Sequence, residues 1–412
     1  MAKCEVSDKC GGCSYIGRPY EYQLGLKQDL VNRLIGKFCP VDNIIACDEP
    51  YYYRNKVHSA FKRVRGGKVI HGTYEPGSHR ITAHRKCLIE NKKAQEIINS
   101  IEKIAVGHKV PIYDERTCKG LLRRVLVRIS EETGQIMVVI VAGNRYFKGK
   151  REFTDELLKM HPEITSVVFN YNERTDSMIL GSRSRVEYGT GSIEEVILEK
   201  RFRVSPDSFL QVNTKQTNKL YSAALSLAGL GKEDTVLDCY CGIGTITICA
   251  AGLCSRATGV EINPRAISDA KANARLNKCR NTDFIAADAT VFMEDLAKHR
   301  EANSYDVIIM DPPRSGSTHK FIKAAAKLDP SRIVYISCNP ETLARDLKVF
   351  VSYGYKAVKA VPVDMFPWTD DVETCCLLTR KDEGKRSYVS LDVEIDDHYR
   401  IKNETEVPAD AT

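Results

Sequence analysis

The sequence predicts an α/β protein in two unequal parts. A doubly wound sheet of seven strands occupies the C-terminal half, and a smaller mixed α+β region that opens on a cysteine cluster precedes it. From Thr235 onward, short apolar runs alternate with helix-length stretches, the pattern of parallel strands buried on both faces. The last two runs are separated by only a short Pro-containing loop, so they are expected to close the sheet as an antiparallel hairpin. Before Thr235, glycines punctuate β-rich sequence at hairpin spacing, and no internal repeat is evident.

Composition bounds the rest. A chain of 412 residues, 43% hydrophobic and 28% charged, can bury a sizeable core and falls outside the disordered, collagenous and low-complexity classes. The longest apolar run, Ile136 to Ala142, is far short of the roughly 18 residues of a membrane span. No apolar stretch follows Met1-Ala2-Lys3-Cys4-Glu5, so a cytoplasmic protein is expected. Fifteen cysteines in a long chain without a secretion signal point to reduced thiols, metal ligation or catalysis. The formal charge of +7 comes from basic residues before position 200. A concentration at Arg54, Lys56, Lys62, Arg63, Arg65 and Lys68, with Tyr51, Tyr52, Tyr53 and Phe61 interleaved, suits phosphate contacts and base stacking; a solvated hairpin face is the alternative.

In chain order, Tyr20 to Phe38 reads as a helix that packs on the later half. Gly66-Gly67 marks a hairpin between Phe61–Arg65 and Lys68–Ile70, and Gly134 marks another between Leu121–Ile129 and Ile136–Ala142. Expected strands are Thr235–Cys241, Ala257–Ile262, Thr282–Asp288, Asp306–Asp311, Arg332–Cys338, Val358–Met365 and Glu373–Arg380, with a helix at Pro264–Leu276. The expected divisions are a Cys-cluster and RNA-binding region (1–205), a catalytic domain (206–383) and an acidic, poorly ordered tail (384–412).

Five strand ends carry chemistry. The first opens into Asp238-Cys-Tyr-Cys-Gly242-Ile-Gly244-Thr245, where two glycines permit a sharp turn close to a ligand. Thr247 replaces the third glycine of the dinucleotide fingerprint, which speaks against NAD. Glu261, ending the second strand, is placed to accept from ribose hydroxyls, and Asp288, ending the third, to meet an adenine amine. Together these fit S-adenosylmethionine. The fourth strand ends in Asp311-Pro312-Pro313-Arg314, whose prolines stiffen the backbone that holds Asp311 at the edge.

The fifth ends in Ser337-Cys338-Asn339-Pro340 and puts a thiol on the same edge. A pyrimidine C5 is too weak a nucleophile to take a methyl group directly. Thiolate addition at C6 makes it reactive, and a base must then remove the C5 proton. Glu373, opening the last strand, is the candidate base; an ordinary charge at a strand start is the bland alternative.

Gln211-Val-Asn213, Asp238-x-Tyr-Cys-Gly-x-Gly244, Asp311-Pro-Pro-Arg314, Ser-Cys338-Asn-Pro340 and Val-Glu373, in this order, resemble the uridine C5 RNA methyltransferase family over roughly residues 1 to 380. The resemblance implies a Rossmann-like seven-stranded S-adenosylmethionine-dependent methyltransferase domain that makes 5-methyluridine. It implies Cys338 as nucleophile, Glu373 as proton acceptor, and Gln211, Tyr240, Glu261 and Asp311 as cofactor contacts, with Thr245 and Asp288 at positions of further polar contacts. Phe209 is a candidate to stack on an extruded base, a core phenylalanine being the alternative.

Cys4, Cys10 and Cys13 follow Cys-x5-Cys-Gly-Gly-Cys, a pattern that spacing alone leaves open between zinc and iron with sulfide. Proteins similar to this one in the ribosomal branch of the family carry a 4Fe-4S cluster on such a pattern. That resemblance selects Cys87, after Arg85-Lys86, as the fourth ligand, with Cys39 and Cys47 less favoured, and a structural role is expected. Tyr53-Arg54-Asn55-Lys56 also resembles the family and favours the nucleic-acid reading of the basic patch. The chain begins directly at the cysteine motif, so RNA grip is expected from that patch and its neighbouring β structure. The implied substrate is 23S rRNA, since the tRNA-directed branch generally lacks the cluster cysteines, and no obligate protein partner is expected. The alternatives are a tRNA uridine C5 enzyme, an RNA cytosine C5 methyltransferase, or a non-catalytic RNA-binding assembly factor.

Overall fold

Strand alternation and helix capping explain most of the architecture. A computed structural model describes residues 3–78, 80–176, 178–299 and 305–381, of which those up to Arg380 belong to one compact unit; the expected acidic tail at 384–412 lies outside the described residues. The chain starts with a short α1 (Ser7–Cys10) and the long α2 (Tyr20–Ile35), then β1 (Lys56–Arg63), β2 (Val69–Tyr74) and β3 (Ile81–Ala83). Gly66 and Gly67 take φ of 81° and 78° in the turn joining β1 to β2, where a side chain would be strained. Next come α3 (Lys92–Gly107), β4 (Leu122–Ile129), β5 (Ile136–Ala142), α4 (Lys150–Met160), β6 (Ser166–Tyr171) and β7 (Arg183–Tyr188). These strands form one seven-stranded sheet in the order β3-β2-β1-β4-β5-β6-β7.

Both expected hairpins are present in this sheet, while β5 and β6 run parallel, joined through α4. Ile136–Ala142 is buried throughout because its two faces meet different cores. Ile136, Val138 and Ile140 pack among residues of α3 and α4. Met137, Val139 and Val141 join a cluster shared with the C-terminal half.

A small hairpin of β8 (Ile193–Ile197) and β9 (Lys200–Val204) leads to α5 (Thr214–Ala228). Then follow β10 (Thr235–Cys239), α6 (Thr245–Ala251), β11 (Arg256–Glu261), α7 (Pro264–Leu276), β12 (Thr282–Ala286), α8 (Ala289–Lys298), β13 (Val307–Met310), α9 (His319–Leu328), β14 (Arg332–Ser337), α10 (Pro340–Ser352), β15 (Tyr355–Val363) and β16 (Glu373–Arg380). The second seven-stranded sheet has the order β12-β11-β10-β13-β14-β16-β15, parallel from β12 to β14 and closed by antiparallel β16 and β15. This is the predicted Rossmann-like arrangement. Pro264 at the start of α7, behind an Asn263 cap, explains why that helix matches its expected bounds.

The parallel strands stop earlier than the sequence suggests. Tyr240, Asp288, Asp311 and Cys338 stand just beyond the ladder instead of within it: Tyr240 takes φ 72° in a turn and Asp288 caps α8. Helix α2 packs on α10 and β15, with Val31 and Ile35 in the core beneath the second sheet.

Candidate active site

Antiparallel pairing builds the centre of the site. Ser337 at the end of β14 lies opposite Thr374 of β16, so the next position on each chain brings Cys338 beside Glu373. Asn339 caps α10 and Pro340 begins it, which holds the Cys338 backbone between a strand end and a helix start. Glu373 is only 3% exposed and its Oε2 has no hydrogen-bond partner. Burial raises its carboxyl well above the usual range, and the facing carboxylates of Asp311 and Asp371 add to this. Burial raises Asp311 to about 7. The Cys338 thiol is pushed up to about 11, first by burial and then by Glu373 and Asp311, with Arg314 acting the other way.

Arg314 is the cation of this cluster. It donates from Nη1 to Asp371 Oδ1 at 2.5 Å, and its charge opposes the upward shifts of both Cys338 and Glu373. The sequence motifs assign no role to Arg314 or Asp371; the signal that marks the first is Pro312-Pro313, which fixes the backbone before it.

The glycine turn and the second strand end form a neighbouring cavity of about 100 Å³, lined by Gly242, Glu261, Arg265, Ser208 and Phe209 among others. Gly244 has φ 82°, and a Cβ there would come within 2.8 Å of the Phe284 ring, so only glycine fits. Gly242, φ 55°, has open space where its side chain would be. Glu261 Oε1 accepts from Asn263 N at 2.8 Å. Asp288 spends Oδ1 on capping Val291 N at 3.0 Å, and its charge helps raise the Tyr240 phenol, which burial and its neighbours push to about 12. Gln211 and Thr245 are buried, 7% and 5% exposed, and near in sequence to the lining residues Phe209 and Gly242. Phe209 is 67% exposed and is no core phenylalanine. Below the turn, Thr247 Oγ1 donates to the buried Asp238 at 2.6 Å; burial still raises that carboxyl to about 7.

Far from this edge in sequence, Cys4, Cys10, Cys13 and Cys87 line one cavity of about 120 Å³. Gln95 of α3 clamps Cys87 from both sides, accepting from its N and donating to its O. Cys13 precedes Ser14 and Tyr15, whose backbone amides both donate to Trp368 O. Burial pushes the Cys13 and Cys87 thiols to about 12. Cys39 and Cys47 do not line this cavity: Cys39 neighbours Cys376 and Cys47 neighbours Asn213. Among the described residues, no group of three or more His, Cys, Asp or Glu is arranged to hold a metal ion. The cysteines surround a common space without converging on a common point.

The basic patch divides. Tyr53 and Phe61 are buried, Tyr51 packs on Trp368 with ring centroids 4.9 Å apart, and Lys92 sits over Tyr52. Tyr53 and Phe61 are thus packed inward, while Tyr51 and Tyr52, which precede β1, stay half-buried.

The family model described as tRNA (Uracil-5-)-methyltransferase matches residues 182–381. An uncharacterized RNA methyltransferase of Clostridium tetani is 38% identical over 387 residues, 93% of this chain and 84% of that protein. Another, from Halalkalibacterium halodurans, is 39% identical over 386 residues, covering 92% and 83%. In fold, the chain is similar to the Pyrococcus abyssi tRNA (uracil-54, C5)-methyltransferase solved in complex with S-adenosyl-L-homocysteine, with a TM-score of 0.73 at 24% identity over 89% of this chain and 86% of that one. With a C-terminal family match and near-full-length RNA methyltransferase relatives, the chain belongs to the uridine C5 RNA methyltransferase family and is an S-adenosylmethionine-dependent RNA methyltransferase.

Proposed function

We propose that this enzyme forms 5-methyluridine in 23S rRNA by covalent catalysis from Cys338 with Glu373 as proton acceptor. The observation that carries the reading is the juxtaposition of a strand-end thiol with a buried carboxylate whose Oε2 lacks any partner. S-adenosylmethionine, when bound, supplies an electrophilic sulfonium methyl; Gln211, Tyr240, Thr245, Glu261, Asp288 and Asp311 are the residues assigned to hold it. The open space at Gly242 and the cavity reaching Glu261 suit an adenosine-bearing ligand.

The remaining steps belong to the chain. Cys338, as thiolate, bonds to uridine C6 and makes C5 nucleophilic. Once C5 carries its methyl, Glu373 as carboxylate removes the C5 proton, the C6–sulfur bond breaks and the thiolate leaves. Burial raises both groups above their ordinary values, while Arg314 favours the charged forms that the two steps use.

The rRNA assignment is supported by the four cysteines around one cavity, to which we assign a structural 4Fe-4S cluster. Ligands spread around a cavity of about 120 Å³ suit a larger inorganic centre. We assign RNA contacts to residues 1–205 and the chemistry to 206–383. A tRNA substrate is the second reading, favoured by the description of the matching family and by the Pyrococcus abyssi enzyme.

RNA bearing 5-fluorouridine at the target should trap a covalent adduct on Cys338, since fluorine cannot leave as a proton; no adduct with a proven target RNA defeats the mechanism. Mass spectrometry of rRNA and tRNA from a deletion strain should show 5-methyluridine missing from 23S rRNA, and its loss from tRNA would overturn the rRNA assignment.

A further inference from the structure

The first seven-stranded sheet carries a row of basic side chains on one face of β1 and β4. Alternate residues of a strand share a face, so Lys56 and His58 of β1, with Arg54 just before it, lie opposite Val57 and Phe61, which enter the α3 core. The register sets Arg128 of β4 across from Lys56, and Arg124 across from Ala60, on that same face. Arg124 stacks over Tyr74 at 5.0 Å. Arg128 is 3% exposed and donates from Nη2 to Ser208 O at 3.0 Å. Ser208 precedes Phe209 in the lining of the cavity that holds Glu261. The row therefore runs from the cysteine cavity, which Arg54, Lys56 and His58 also line, to the mouth of the active site.

Among the described residues, Arg54, Lys56, Arg124 and Arg128 form no ion pair, whereas neighbouring Arg123 is paired with Glu115 at 2.7 Å. Glu90 faces Arg54 and Glu195 faces Arg128 at longer range, and the Glu195 oxygens are already engaged by Ser130 and Thr214. The Nε atoms of Arg54, Arg124 and Arg128, and Nη1 of Arg128, are buried without an acceptor. Burial and the adjacent Arg128 hold the Lys56 ammonium down at about 8. Unmet guanidinium donors beside a crowded ammonium are costly unless an anion joins them, and planar guanidinium groups match phosphate oxygens.

We infer that Arg54, Lys56, Arg124 and Arg128 form a phosphate-binding track for the backbone of the RNA substrate, leading its target segment toward Phe209. The inference rests on the chain acting on RNA, and it names contacts that position the strand without reading its bases. Arg124 and Arg128 lie outside the cysteine cavity, so an inorganic centre there does not account for the row.

Anisotropy titrations of the full chain with a single-stranded RNA oligonucleotide, across about 50 to 200 mM salt, test the track without requiring turnover. Lys56→Gln and Arg124→Gln should each lower the slope of log affinity against log salt by about 0.7, a roughly 2.6-fold change in the variant-to-wild-type affinity ratio over that range. The double variant should show about 7-fold. Lys327→Gln, on the exposed last turn of α9, should match wild type. Calorimetric binding of S-adenosylmethionine reports an intact fold. Wild-type slopes in both single variants and the double overturn the track. Where a variant folds poorly, protection of Lys56 from acylation by bound RNA decides in the wild-type protein: protection supports the track and equal labelling defeats it. Slope changes in a protein that forms no fluorouridine adduct would leave the track standing while removing the proposed chemistry.

Discussion

Lys27 and Asp364, 337 positions apart, form an ion pair shut off from water: Nζ lies 2.6 Å from Oδ1, and the side chains are 1% and 0% exposed. Tyr20 OH donates to the other carboxylate oxygen at 2.6 Å, and Lys27 also donates to Phe366 O. Helix α2 thereby grips the loop between β15 and β16, the loop that delivers Glu373.

Removing one member of this pair leaves the other charged and buried. Lys27→Met should lower stability to urea by about 3–5 kcal/mol. Adding Asp364→Asn to Lys27→Met should recover part of that loss, since the stranded carboxylate goes with it. Equal midpoints for the single and double variants would show that the pair is not coupled.

Glu373→Gln separates addition from elimination. With ordinary target RNA it should accumulate a methylated protein–RNA adduct and lose about 10²–10⁴-fold in turnover, whereas Cys338→Ala should form no adduct. Denaturing gels distinguish the two. In the wild-type enzyme burial pushes the Cys338 thiol up to about 11, so one proton must leave it before it can add to uridine C6. Hence kcat/KM should climb about tenfold per pH unit through neutrality, and a flat profile would contradict a thiol raised by burial.

Asp238 carries a stability signature. Its folded-state carboxyl sits at about 7 against an ordinary 3.8, chiefly through burial. Ionisation is easier in the unfolded chain, so its contribution to stability is full below about pH 4 and falls as pH rises to about 7, by at most about 1.4 kcal/mol per unit. Relative to wild type, Asp238→Asn should gain stability across that window and hold constant above it. Thermal unfolding at pH 5 and pH 8 measures the difference.

Trp368 is the chain's one tryptophan, 1% exposed, with Nε1 donating to Pro50 O at 2.7 Å and its carbonyl accepting from Ser14 and Tyr15. Its fluorescence therefore reports on the junction between the cysteine segment and the loop before Glu373. Stripping the proposed cluster with a chelator should shift Trp368 emission to longer wavelength while far-ultraviolet dichroism changes little. An unchanged spectrum after iron loss would show that this junction does not depend on the cluster.

Strand ends were legible because each closes an apolar run: Glu261, Asp288, Asp311 and Cys338 could all be placed on one sheet edge from period and spacing alone. The split of the basic patch was not legible as composition. Tyr53 and Phe61 differ from Arg54 and Lys56 only in which side of an alternating segment they occupy, and an alternating pattern does not say which face meets a core. Lys27 likewise reads as an ordinary helix lysine, since nothing local reveals a carboxylate 337 residues away.

The sequence by itself determined the order of the strands' chemistry, the turns that glycine and proline permit, and the residue types a thiol-dependent methyl transfer requires, because these depend on neighbours a few positions apart. Tertiary structure alone decided that the β14–β16 register brings Cys338 beside Glu373, that four distant cysteines share one space, and that Arg54, Lys56, Arg124 and Arg128 share one face without an ion pair among the described residues. Those relationships arise from sheet register and from packing between segments hundreds of residues apart, where burial and the pairing of charge are settled by the whole fold.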